Sequence, residues 1–278
     1  ANASAPLTAD AMFRIASVSK QFSAAGVLRL VEQGKVALDD PLTKYVPGYP
    51  NGDAVSVRQL LNHTSGIRSY TDMPGMMDGP IRKDVTTAQL IDVFKNEKPD
   101  FAPGESWRYN NSGYVLVGAV IEAASGMPWH QFLQQEFFAP LGMDHTGYGH
   151  DPAIVARQVR GHAWEGDKVV DAPAISMTQP HAAGALVSSV DDLHKWNRAL
   201  HDATFEQLQP GTRGLRLERY AQFGGRCLAG RFEGTEQEGR RTMALGDELQ
   251  PSQITRTYPR SSSRRTRIRP SQREAASP

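Results

Sequence analysis

Ser17 and Lys20 stand three residues apart in "FRIASVSKQF", a spacing at which a serine and a lysine can form a nucleophile and its base. A serine hydroxyl attacks poorly until another group takes its proton. A lysine amine takes it only where burial or neighbouring cations penalise the ammonium form. Residues i and i+3 share a helix face, so a helix opening at Ser17 would set the Lys20 amine beside the hydroxyl. The start of that helix adds N–H groups and positive potential suited to a developing oxyanion. The same residues equally describe a capping serine and a solvated lysine. A second cluster, "WRYNNSGYVLVG", carries Tyr109 and Asn111. A tyrosine there can shuttle a proton, and an asparagine can hold a substrate carbonyl or the lysine amine. By itself, Tyr-Asn-Asn is an ordinary turn.

Both clusters need helices to position them. Phe22, Ala25, Leu28 and Val31 recur at helical spacing, and Gly34 offers a stop, so residues 17–33 read as a helix. Ser56 with Gln59, and Thr86 with Gln89, form capping boxes that open two more. Val85 is placed to staple onto Leu90. "SGYVLVGAVIEAASG" is apolar on every side and closes on Gly126, which favours a buried helix over a strand. Pro128 suits the first turn of "WHQFLQQEFFAP". Ser189 caps a last helix on which Val190, Leu193, Trp196 and Leu200 share a face. Strand candidates are few: "KVAL" from Lys35 and "DKVVDAP" from Asp167. The methionines of "YTDMPGMMDGP" suit loop packing or a substrate entrance.

Composition bounds the function. Among 278 residues the net charge is +1, which gives no global electrostatic case for nucleic acid or a membrane surface. The single cysteine, Cys227, excludes an internal disulfide framework and a Cys-rich metal site. His145 and His150 lie in one loop, but nothing indicates the further ligand a zinc site needs. No apolar run approaches the roughly 20 residues that span a bilayer. Residues 1–201 carry 17 Lys and Arg against 21 Asp and Glu, whereas residues 202–278 carry 14 against 9, every cation there being Arg. Residues 251–278 hold 5 apolar residues in 28, too few to offset ordering entropy, so disorder is expected there. This basic tail lacks interleaved aromatics and any helix-turn-helix pattern, so no nucleic-acid partner is expected.

Taken together and in order, "FRIASVSKQF", "LLNHTSGI", "YNNSGYVLVGAVIE", "LGMDHTGY" and "AAGALVSSVDDLHKWNRAL" resemble the serine β-lactamase and penicillin-binding superfamily. The branch they resemble holds class C β-lactamases, D-alanyl-D-alanine carboxypeptidases and related esterases. The resemblance runs over roughly residues 5–201. It implies an α/β (α+β) fold, a helical domain set against an antiparallel sheet. It implies that Ser17 is the acylated nucleophile and Lys20 its base or proton relay. Tyr109 would be the general base or acid, and Asn111 would contact the substrate amide. The Ser17 N–H would be half of an oxyanion hole, and His63 would serve packing or hydrogen bonding. The expected substrate is a small molecule or a peptidoglycan-like amide, lactam or ester, with no cofactor. The resemblance also implies a periplasmic or secreted protein, although "ANASAPLTAD" has no signal-peptide pattern.

Two departures qualify these expectations. Only 16 residues precede Ser17, fewer than the helix and two strands the family places there. The family also carries Lys or His, any residue, then Gly on a late strand that supplies the second oxyanion N–H. Here the last lysine is Lys195 and the last histidine is His201. An incomplete sheet and impaired catalysis are therefore expected of residues 1–201, with 202–278 a divergent tail. The switch to arginine and the falling apolar content past His201 fit a GC-rich gene read out of its ancestral frame. Translation of the other two frames past codon 201 would then show a Lys/His-x-Gly strand.

Overall fold

A computed structural model describes residues 7–201. The Arg-rich tail, with its expected disorder over 251–278 and the late strand sought there, lies outside the described residues.

The chain enters through strand β1 (Phe13–Arg14), makes a 3-10 turn over Ala16–Val18, and runs into helix α1 (Ser19–Glu32). The helix expected from Ser17 thus begins two residues later, and Ser17 sits in the tighter turn ahead of it. Helix α1 is buried from Ser19 to Leu30 except at Gln21, because it is packed on several sides rather than one. Of its two buried cations, Lys20 and Arg29, the second is paired with Glu32 and Glu136, each at 2.9 Å, so that charge is not left without a partner. Phe22 on α1 meets the Trp196 ring at 4.4 Å and the Phe138 ring at 5.5 Å, joining α1 to the end of the described chain.

Both capping boxes form. Ser56 opens α2 (Val57–Leu61) and Thr86 opens α3 (Thr87–Phe94), each with reciprocal bonds to its glutamine. The apolar segment is helix α4 (Asn111–Ser125), with Ser112 through Ile121 buried. Asn110 caps it by accepting the Gly113 N–H, and Gly126 ends it in the left-handed conformation (φ +76°). The "WHQFLQQEFFAP" segment is helical in two pieces, α5 (Trp129–Leu133) and a π turn over Gln134–Phe138. Pro128 is the residue before α5, in extended ψ, rather than part of its first turn.

The strands are short. β1, β2 (Gly147–Tyr148) and β5 (Leu186–Ser188) make an antiparallel sheet in the order β1-β5-β2, with Arg14 and Gly147 both opposite Val187. Past helix α6 (Pro152–Val155), β3 (His162–Glu165) and β4 (Lys168–Asp171) form a hairpin with Trp164 opposite Val169. The expected strand at Asp167 is thus β4. "KVAL" is not a strand: Lys35 and Val36 both donate to the Leu30 carbonyl and fold back onto the end of α1, with Val36 in the core.

A four-residue helical turn, α7 (His181–Gly184), precedes β5, and α8 (Val190–His201) follows it. Ser189 caps α8 by accepting the Asp192 N–H. On α8, Leu193, Trp196 and Leu200 pack towards the core as expected, but Val190 is exposed and Asp192 is fully buried. Asp192 takes Val190's place because its carboxylate accepts from the His145 N–H, the Thr146 hydroxyl and Lys195.

Candidate active site

The turn that carries Ser17 is sharp. Ala16 adopts φ +45°, a conformation that an L residue reaches at a cost of about 1–2 kcal/mol. The Ile15 N–H bonds the Leu186 carbonyl at 3.1 Å, so β5 holds the strand side of this turn while α1 holds the other. Ser17 is left half-buried at the corner, with its hydroxyl facing side chains from the segment before α4.

The structure brings together all four residues singled out in the sequence. Ser17 Oγ accepts from the Tyr109 hydroxyl at 2.6 Å and from Lys20 Nζ at 3.1 Å. Lys20 also donates to Asn111 Oδ1 and to the Ala183 carbonyl, both at 2.8 Å. An ammonium has three donors and no acceptor, and these three oxygens match them. The lysine is only 2% exposed, so its stem lies in the core and its head is held by the site alone. The Nζ lies 4.8 Å from the centre of the Tyr109 ring and 5.4 Å from that of Tyr114.

Asn111 is oriented from its far side. Its Nδ2 donates to Thr71 Oγ1 at 2.9 Å and its backbone N–H to Ser69 Oγ at 3.2 Å. These bonds turn Oδ1, not Nδ2, towards Lys20. The loop bearing them is itself tied down: Tyr70 N–H bonds Ser112 Oγ at 2.8 Å, and the Tyr70 hydroxyl donates to the Gln179 carbonyl at 2.6 Å. Met76 packs into the core nearby, while Met77 is exposed. The first of the two roles open to that loop thus falls to Met76.

His63 lies behind Tyr109, buried, with ring centres 4.9 Å apart. Its Nδ1 accepts the Asn110 N–H at 3.2 Å, so the proton of the neutral ring is on Nε2. Burial and then the nearby Lys20 charge push its pKa down to about 4. It makes no contact with Ser17 Oγ among the described hydrogen bonds and supports Tyr109 instead.

Sequence reasoning missed the contributions of Ser69, Thr71 and Ala183. The two hydroxyls stand in a loop with no catalytic spacing. Ala183 acts through its backbone carbonyl, which no residue type announces.

The sequence model of the Beta-lactamase family matches residues 1–231. A penicillin-binding protein of Bacillus subtilis strain 168 is 37% identical over 143 residues, 51% of this chain and 31% of its own length. Esterase EstB of Burkholderia gladioli is 34% identical over 157 residues, 51% of this chain and 40% of its own. The D-amino acid amidase of Ochrobactrum anthropi SV3, solved with L-phenylalanine, superposes with a TM-score of 0.65 at 34% identity, covering 74% of this chain and 59% of that one. The chain thus spans about a third to two fifths of the length of these two curated relatives.

Proposed function

The chain belongs to the Beta-lactamase family, and from that membership we propose that it is a serine hydrolase that opens an amide, β-lactam or ester bond through an acyl-serine on Ser17. The observation that carries the reading is the meeting of Tyr109 and Lys20 on one hydroxyl oxygen, at 2.6 and 3.1 Å. In this reading Ser17 Oγ bonds to the substrate carbonyl carbon. Its proton leaves through Tyr109 and Lys20 to the departing nitrogen or oxygen, and the C–N or C–O bond breaks. Water then attacks the acyl-serine, passes its proton back along the same groups, and releases the acid. Lys20 donates to three acceptors, so it holds charge beside the oxygens, while Tyr109, whose hydroxyl already carries a proton, takes the Ser17 proton as it passes its own on towards the leaving group. Asn111, already holding Lys20, has a second Nδ2 hydrogen for a substrate carbonyl.

A short-chain esterase is the second reading. It is favoured by the likeness to Esterase EstB, and an activated ester needs less help in acylation than an amide.

Intact mass spectrometry tests both readings. The chain is incubated with a penicillin or with an activated short-chain ester, beside Ser17→Ala. A penicillin adduct on Ser17 supports recognition of β-lactams. Turnover of the ester alone supports the esterase. No adduct, no turnover and no difference from Ser17→Ala would overturn the enzyme reading for this chain.

A further inference from the structure

His181 takes no part in the reaction above, yet its position is costly in two ways. It is a histidine at φ +45°, in the left-handed region, and it is 4% exposed. Burial first, then His130, pushes its pKa down to about 3, so it is neutral at pH 7. Its surroundings explain what those costs secure. The ring packs against Trp129 with centres 5.3 Å apart, and its Nε2 lies 3.1 Å from Thr87 Oγ1. Thr87 also hydrogen-bonds Glu122 on α4.

The donor order then follows from chemistry. Burial raises the Glu122 pKa and the bond from Thr87 lowers it, so the Thr87 hydroxyl is the donor to this carboxylate. Thr87 Oγ1 must therefore accept from His181, which places the imidazole proton on Nε2. The result is a directed series from His181 on α7, through Thr87 on α3, to Glu122 on α4. The turn pinned in this way presents consecutive carbonyls to α1. Ala182 accepts from Ser23 Oγ at 2.8 Å, and Ala183 accepts from Lys20 Nζ at 2.8 Å.

We propose that His181 is a positioning residue: through Thr87 and Glu122 it fixes the α7 turn so that the Ala183 carbonyl holds the Lys20 ammonium in register with Ser17. Only the kinetic consequence rests on the serine hydrolase reading; the placement of Lys20 is tested without turnover.

The chain has eight lysines, so selective lysine 15N labelling of the full-length protein gives few ammonium signals, with Lys20→Arg assigning that of Lys20. The wild type is expected to show a slowly exchanging Lys20 ammonium. In His181→Leu and in Thr87→Val its exchange is at least about tenfold faster, while His181→Gln and Thr87→Ser, which keep the N–H or the hydroxyl, restore it. Acylation by an activated ester falls about tenfold in the first pair, with KM unchanged, and recovers in the second. Thr87→Val keeps the β-branch and a half-buried position, so it decides the matter where His181→Leu fails to fold. Two results would overturn the proposal: no protected Lys20 ammonium in the wild type, or a Lys20 signal unmoved by Thr87→Val while thermal stability drops. If the wild type is not acylated at all, the hydrolase reading fails and the ammonium signals still decide the role of His181.

Discussion

Lys20 stands between two walls, each braced by one buried histidine in left-handed backbone: His63 at φ +64° and His181 at φ +45°. The His63 wall meets the lysine with side chains, the Tyr109 ring and Asn111 Oδ1. The His181 wall meets it with a backbone carbonyl from Ala183. Each imidazole carries its proton on Nε2, but they differ in what is left over. Among the described residues His63 has a buried Nε2–H without a partner, and His181 a bare Nδ1. The difference teaches that one wall supplies groups able to change protonation, while the other supplies only a fixed dipole. Chemistry should therefore fail when the first is altered, and alignment when the second is.

Tyr109→Phe tests the first wall and carries the largest expected effect. The ring and its contact with His63 remain, and only the hydroxyl 2.6 Å from Ser17 Oγ is lost. General acid–base groups contribute about 10²–10⁴, so acylation by an activated ester is expected to fall by that factor with little change in thermal stability. A stopped-flow or quenched mass measurement that found less than a fivefold loss would move the proton transfer away from the Tyr109 wall.

The same contrast explains what the sequence made legible. Ser17, Lys20, Tyr109 and Asn111 were legible because their types and order match the motifs of the family the sequence resembles, and their side chains meet in the structure. Helix α4 was visible because a fifteen-residue apolar segment ending on glycine has few other fates, and the capping boxes at Ser56 and Thr86 because they are local. The Ala183 carbonyl and the bracing by His181 were not visible, since they depend on contacts 163 and 94 residues apart. Val190 was misplaced for a related reason. Helical period put it on the apolar face, but the hydrogen bonds waiting at His145 and Thr146 drew Asp192 inward instead. Strand β3 was not legible because its residues are mostly exposed, Trp164 included, so it shows no buried face.

Acid separates the two walls further. Both histidines have folded pKa values below the ordinary 6.5, near 4 for His63 and near 3 for His181. The unfolded chain then binds more protons than the folded one between those values. The stability each contributes is complete above about pH 6.5 and is lost as pH falls through the folded value. For His63 the loss amounts to about 3 kcal/mol between pH 6.5 and 4. His63→Asn tolerates the left-handed backbone and keeps an acceptor for the Asn110 N–H. Urea unfolding at stepped pH should therefore show a flatter profile in this variant between about pH 6.5 and 4, with the His181 part still lost from about pH 6.5 to 3. An unchanged slope would mean that His63 is not the neutral brace behind Tyr109.

Gly118→Ala presses on the second wall alone, and its expected effect is smaller. Gly118 lies in the middle of α4, where alanine is favoured over glycine by about 1 kcal/mol on helix propensity. Against that gain, a Cβ at this position would stand 2.5 Å from His181 Cε1, 2.6 Å from its Nδ1 and 2.8 Å from the Ala182 Cβ. The ring is packed on Trp129 and cannot swing aside, so overpacking by about 1–3 kcal/mol outweighs the propensity. Thermal unfolding should show net destabilisation of up to about 2 kcal/mol by the same balance. In a His181→Ala background the ring clash disappears and the Ala182 contact remains, so the cost of Gly118→Ala should shrink without vanishing. Equal costs in the two backgrounds would show that α4 bears on α7 through Ala182 alone, and that the imidazole is not what the glycine makes room for.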